Sequence, residues 1–124
     1  MAESFAELAS VFPDTYAFLQ SNFNDTQVDR ESAIGSIVNH LRAAHPDKNV
    51  MVCHPPHLPS LNNASKMHLE LNTGLVGTTG VDVYVFDDGI FTNLGDGGFI
   101  NWCFDGNFVR DEDNPNMVTF SVIG

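Results

Sequence analysis

Three histidines, His54, His57 and His68, lie within a short stretch, and Glu70 follows the last by two residues. The segment Cys53-His54-Pro55-Pro56-His57 leaves a strand-like run, and its two prolines hold the chain stiffly extended. His68 and Glu70 share one face if the surrounding alternation is a strand. An imidazole titrates near neutral pH, so His68 could act as a base with Glu70, Asp82 or Tyr84 as orienting or acid partner. That set can move protons in an isomerisation or cyclisation, and no cofactor is expected. A second chemistry would gather His54, His57, His68 and Glu70 around zinc or non-haem iron. Their spacing follows neither a zinc-finger nor an HExxH pattern, so no metal site is expected. Surface histidines without chemistry are the plain alternative.

Strand alternation extends the set. Met67, Leu69 and Leu71 oppose His68 and Glu70, and Val81, Val83 and Val85 oppose Asp82, Tyr84 and Phe86. Ile100, Trp102 and Phe104 oppose Phe99, Asn101 and Cys103. If helices cover the valine, leucine and tryptophan side, the other side carries His68, Glu70, Asp82, Tyr84, Phe86, Phe99, Asn101 and Cys103. Ordinary solvated faces favour Lys, Glu, Thr and Ser, whereas this one mixes aromatics with short polar groups. It fits a pocket for a small organic molecule, with His54 and His57 at its edge. It fits equally an amphipathic interface, formed by a homodimer or by the 55–66 loop folded over it. Cys53 and His54 point to opposite faces as strand neighbours, so they do not form a nucleophile–base pair.

The elements that must position these residues fall into two parts. Ser4-Phe5-Ala6-Glu7 has the form of a capping box, and Phe5, Leu8, Ala9 and Phe12 follow at helical spacing. A short second helix is predicted after Pro13. A third runs from a Thr26 cap with Ile34, Ile37, Val38 and Leu41 as its apolar stripe. Pro46 ends it. From Lys48 the period changes to two, with strand-like runs at 49–54, 67–71, 81–86, 90–93, 99–104, 107–110 and 117–123, not all of which need be separate strands. Asp87-Asp88-Gly89 and Asp105-Gly106 read as hairpin turns, which would pair their flanking strands antiparallel. The expectation is one α+β domain over 1–124: helices in 1–46 covering one face of an antiparallel meander of five to six strands in 48–124.

Composition limits the function classes. The chain has 124 residues, 43 % of them hydrophobic, which is enough for one core. Five Lys and Arg against 16 Asp and Glu give a net charge of −11. Such a balance argues against nucleic acid and against a polybasic membrane dock. The N-terminus is acidic and no apolar run approaches a membrane span, so a cytoplasmic protein is expected. Cys53 and Cys103 read as free buried thiols, and the sequons at Asn24 and Asn63 as chance matches. The acidic turns lack the twelve-residue order of a calcium loop, and Gly95-Asp96-Gly97-Gly98 lacks the lysine and helix of a phosphate loop. A sugar-binding reading through Asn101, Tyr84 and Asp105 is weakened by placing Trp102 on the core side. The sequence therefore points to a small-molecule binder on its sheet face, as a homodimer. A cofactor-free acid–base enzyme and a protein-interaction module are its rivals.

Overall fold

The computed structural model describes residues 5–7, 30–54, 57–72, 78–94 and 102–123. Among them are one helix, α1 (Arg30–Ala44), and nine strands. The strands are β1 (Phe5–Glu7), β2 (Asn49–Cys53), β3 (His57–Asn62), β4 (Ala64–Asn72), β5 (Thr78–Phe86), β6 (Asp88–Asn93), β7 (Trp102–Asp105), β8 (Phe108–Arg110) and β9 (Met117–Phe120). They form a five-stranded sheet in the order β1-β4-β5-β2-β7 and a four-stranded sheet in the order β3-β6-β9-β8. The mixed helix-and-sheet class matches expectation, but two sheets replace the single meander.

Two hydrophobic cores hold three layers together. The stripe Ile34, Ile37, Val38 and Leu41 of α1 packs on Val50, Val52, Met67, Leu69, Leu71, Val81, Val83 and Val85 of the larger sheet. The opposite face of that sheet presents Met51, Cys53, Tyr84, Phe86 and Trp102 to Leu61, Phe91, Val118 and Phe120 of the smaller one. Period-two alternation thus places valines and leucines against the helix and aromatics between the sheets. Trp102 consequently faces the second sheet, not the helix side on which the sequence reading placed it. Its partner across the ladder is Cys53, while Cys103 stands opposite Val52 and packs against the helix core.

The sheets are joined by a long ribbon that bends. The register runs unbroken from His57 opposite Asn93 to Asn62 opposite Asp88, then from Ser65 opposite Val85 to Asn72 opposite Thr78. Asn63 and Asp87 occupy the bend, with one half of the ribbon in each sheet. Asn63 adopts φ 52°, a left-handed conformation that asparagine tolerates. The Asp87 N–H donates to the Asn62 carbonyl at 3.1 Å, and Asn63 Nδ2 donates to Asp87 Oδ2 at 2.8 Å. Lys48 Nζ reaches Asp87 Oδ1 at 2.5 Å. Asp87-Asp88-Gly89 is therefore a corner between sheets, not a hairpin, because β5 and β6 never pair. Asp105-Gly106 is likewise a crossing, from β7 in one sheet to β8 in the other. Strands that switch sheets at bends are an ordinary way of turning a corner.

Three further expectations change. Phe5–Glu7 pairs in parallel with β4 and does not open a helix. The 55–66 stretch, read as a loop, contains β3. It does help cover the aromatic face, but as part of a second sheet. The remaining positions of the first two predicted helices lie outside the described residues. Gly89 sits just past the bend at φ 140°, where a Cβ would lie 2.2 Å from the Ser60 carbonyl oxygen. Both the backbone angle and the close approach demand glycine. Gly89→Ala is expected to destabilise the fold by about 2 kcal/mol or more through this strain, measured by denaturant unfolding.

Candidate functional site

The bent ribbon brings five of the sequence-selected side chains into one hydrogen-bonded line. His68 and Asp82 are cross-strand partners in β4 and β5, and Glu70 is the next residue on the same face of β4. His68 Nε2 contacts Glu70 Oε2, and His68 Nδ1 lies 3.0 Å from Asp82 Oδ1. The other oxygen of Asp82 lies 3.4 Å from His57 Nε2. That nitrogen is in turn 2.7 Å from the Tyr84 hydroxyl. The line runs Glu70, His68, Asp82, His57, Tyr84, from solvent towards the interior. His57, at the start of β3, reaches it only because β3 crosses over the larger sheet. Its ring stacks on Phe91 at 5.1 Å and meets Tyr84 edge-on at 5.6 Å.

Asp82 is the hub. Partial burial alone would raise its pKa, but hydrogen bonds to His57 and His68, with the charge of Lys66, overcome this and hold it at about 2. His68 is shifted upward by its hydrogen bonds to Asp82 and then Glu70, against burial. With a carboxylate at each ring nitrogen, His68 is best satisfied as imidazolium, donating both protons. Burial, helped by Asp82, pushes the Cys53 thiol up to about 12, which keeps it unreactive.

Gly80 carries a signal that was missed in the sequence. A Cβ there would stand 2.8 Å from Glu70 Oε2 and 2.8 Å from His68 Cε1, so the pair lies flat on its backbone. Its carbonyl receives the Nδ1–H of His54 at 2.6 Å. Gly80→Ala is expected to leave the fold intact, since exposed side-chain ends can move, but to push His68 off its partners. The His68 pKa, followed by NMR, should then fall towards the ordinary value of about 6.5.

Beside this line opens a cleft of about 530 Å³ lined by His54, His57, Pro59, Lys66, Asp82, Tyr84 and Leu94. Lys66 and Leu94 were not anticipated, and Lys66 Nζ stands 3.9 Å from Asp82 Oδ2 and 5.8 Å from the Tyr84 ring centroid. Phe86 is fully buried between the sheets. Cys103 lies on the helix side, away from the cleft lining. Phe99 and Asn101 lie outside the described residues. β2 and β4 do not pair, because β5 runs between them, so His54 and His68 meet only through Gly80. Among the described residues no group of three or more His, Cys, Asp or Glu is arranged to hold a metal ion, and His54, His57, His68 and Glu70 do not converge as one. No described helix is long and apolar enough to cross a membrane.

No family model matches the chain. A short stretch is similar to "Stress response protein YvgO" of Bacillus subtilis (strain 168), 66 % identical over 29 residues. The match covers 23 % of this chain and 18 % of that protein's length. No solved structure matches.

Proposed function

We propose that the protein binds a small organic molecule in the cleft between β3, β4 and β5. One observation carries this reading: a concave site of about 530 Å³ in which the polar groups of His54, Lys66, Asp82 and Tyr84 converge beside Pro59 and Leu94. The lining is mostly polar, where such sites usually have apolar walls with a few placed polar groups, so a ligand would be held chiefly by its polar groups. The test is a thermal-shift screen of a small-molecule library against wild type and Tyr84→Phe. Ligands should raise the melting temperature of the wild type. Losing the phenol, whose bond at 2.7 Å positions His57 in the cleft wall, should weaken the best of them by about 1 kcal/mol, roughly fivefold. No stabilising ligand, or ligands indifferent to cleft substitutions, would defeat the reading.

The unbroken line from Glu70 to Tyr84 favours acid–base catalysis as a second reading. In it His68 is not the free base, because both its nitrogens face carboxylates. Proton transfer would pass instead through His57 and the Tyr84 hydroxyl. Homodimer formation belongs to the proposal as well, but not through Tyr84 and Phe86, which are buried under the smaller sheet. The outer face of that sheet, with exposed Leu58, Ile90 and Val109, is the surface to test by sedimentation of Ile90→Lys.

A further inference from the structure

Resting on that reading, we infer that the ligand is a small organic anion, whose acid group meets Lys66 and His54 while its apolar body lies against Pro59 and Leu94. The cleft and its polar line hold Lys66, His54, His57 and His68, a large share of the basic side chains in a chain with five Lys and Arg and five His. Three of the other cations are engaged elsewhere. Arg42 bonds the Pro46 and Lys48 carbonyls at 2.8 and 3.0 Å, Lys48 bonds Asp87 at 2.5 Å, and Arg110 lies over the Trp102 ring at 5.1 Å. Lys66 differs. It is held only loosely: its ammonium pairs with Asp82 at 3.9 Å, beyond hydrogen-bond reach, and stands 5.8 Å from the Tyr84 ring centroid, while its side chain stays 44 % exposed.

His54 supplies the second contact. The Gly80 carbonyl can only accept, so the Nδ1 that faces it at 2.6 Å carries the proton. That bond orients the ring at the cleft and leaves Nε2 for the acid group, to which only the protonated imidazole can donate. Asp82, the carboxylate in the lining, is already shared by His57, His68 and Lys66, so a cationic ligand would have to displace them. The overall charge of −11 attracts cations from a distance, but screening over about 8 Å at physiological salt leaves the choice to these near neighbours. Exposed Leu94, beside an otherwise polar group, gains a role as the wall for the ligand's body.

Titration calorimetry with benzoate, phenyl phosphate, benzamide and benzylamine tests this, because the ring is constant and only the head group changes. One of the two acids should bind about tenfold or more tightly than benzamide and benzylamine, as expected for one charge-assisted contact. The tighter acid assigns the head group as carboxylate or phosphate. Lys66→Gln, a half-exposed change that leaves the core untouched, should abolish the preference. Benzamide or benzylamine binding as well as either acid would overturn the anion inference and leave the cleft reading standing. So would cleft ligands in the library screen without any acid among them. If the library yields no cleft ligand of any class, the proposed function itself fails.

Discussion

Asn49→Ala is expected to lower stability by about 4 kcal/mol, the largest effect of any single polar substitution in this chain. Asn49 is fully buried where the β5–β6 and β7–β8 crossings between the sheets meet the end of β9. Its Nδ2 donates to the Asp87 carbonyl at 2.7 Å and the Ser121 carbonyl at 3.0 Å, and its Oδ1 accepts from the Asn107 N–H at 2.8 Å. Alanine removes three hydrogen bonds worth about 1 kcal/mol each and leaves two carbonyls and an N–H without their partner. A melting temperature about 15 °C lower follows for a domain of this size. Gly106 belongs to the same clamp: its φ is 137°, and a Cβ would stand 2.0 Å from Asn49 Oδ1. Gly106→Ala and Asn49→Ala should therefore be strongly non-additive in a double-mutant cycle. A loss below about 1 kcal/mol for Asn49→Ala would mean that the sheets are held together by apolar packing alone.

Asp82→Asn is expected to give the largest pH-dependent effect. The Asp82 pKa is depressed from its ordinary value of 3.8 to about 2 in the fold. A depressed carboxylate contributes stability that is present above its unfolded pKa and is lost as pH falls through the folded one. At neutral pH this amounts to about 2 kcal/mol, since one pKa unit corresponds to about 1.4 kcal/mol. The stability difference between wild type and Asp82→Asn should thus be full at pH 7 and shrink between about pH 4 and pH 2. His68 acts with the opposite sign. Its raised pKa contributes stability below about pH 6.5 that disappears as pH rises through the folded value. Wild type should accordingly lose stability as pH rises above about 6.5 and through the folded value, and His68→Ala should not. Urea unfolding across the pH range reads both effects.

Several of the site's residues were legible in the sequence. Strand alternation alone assigned His68, Glu70, Asp82 and Tyr84 to one face, and the geometry joins them through His57. The helix stripe Ile34, Ile37, Val38 and Leu41 was legible for the same reason, since an amphipathic period needs no knowledge of the partner. The second sheet was not. Asp87-Asp88-Gly89 and Asp105-Gly106 carry hairpin chemistry, but a turn sequence states only that the chain bends, not which sheet the next strand joins. The burial of Asn49 and a left-handed Asn63 decide that here, and neither is visible in hydropathy. Trp102 was placed on the wrong side because large apolar residues suit either core, and a sheet covered on both faces has no polar side to reveal the phase. Lys66 and Leu94 escaped because they became cleft walls only when β3 crossed over β4 and β5.

The most direct test of the ligand cleft is amide chemical-shift mapping on 15N-labelled protein, using the best compound from the library screen. The expected result is a saturable set of shifts at His54, Lys66, Asp82, Tyr84 and Leu94, with none on the outer face at Ile90, Val109 and Thr119. Shifts confined to that outer face, or no saturable shifts at all, would contradict the assignment of this cleft as the binding site.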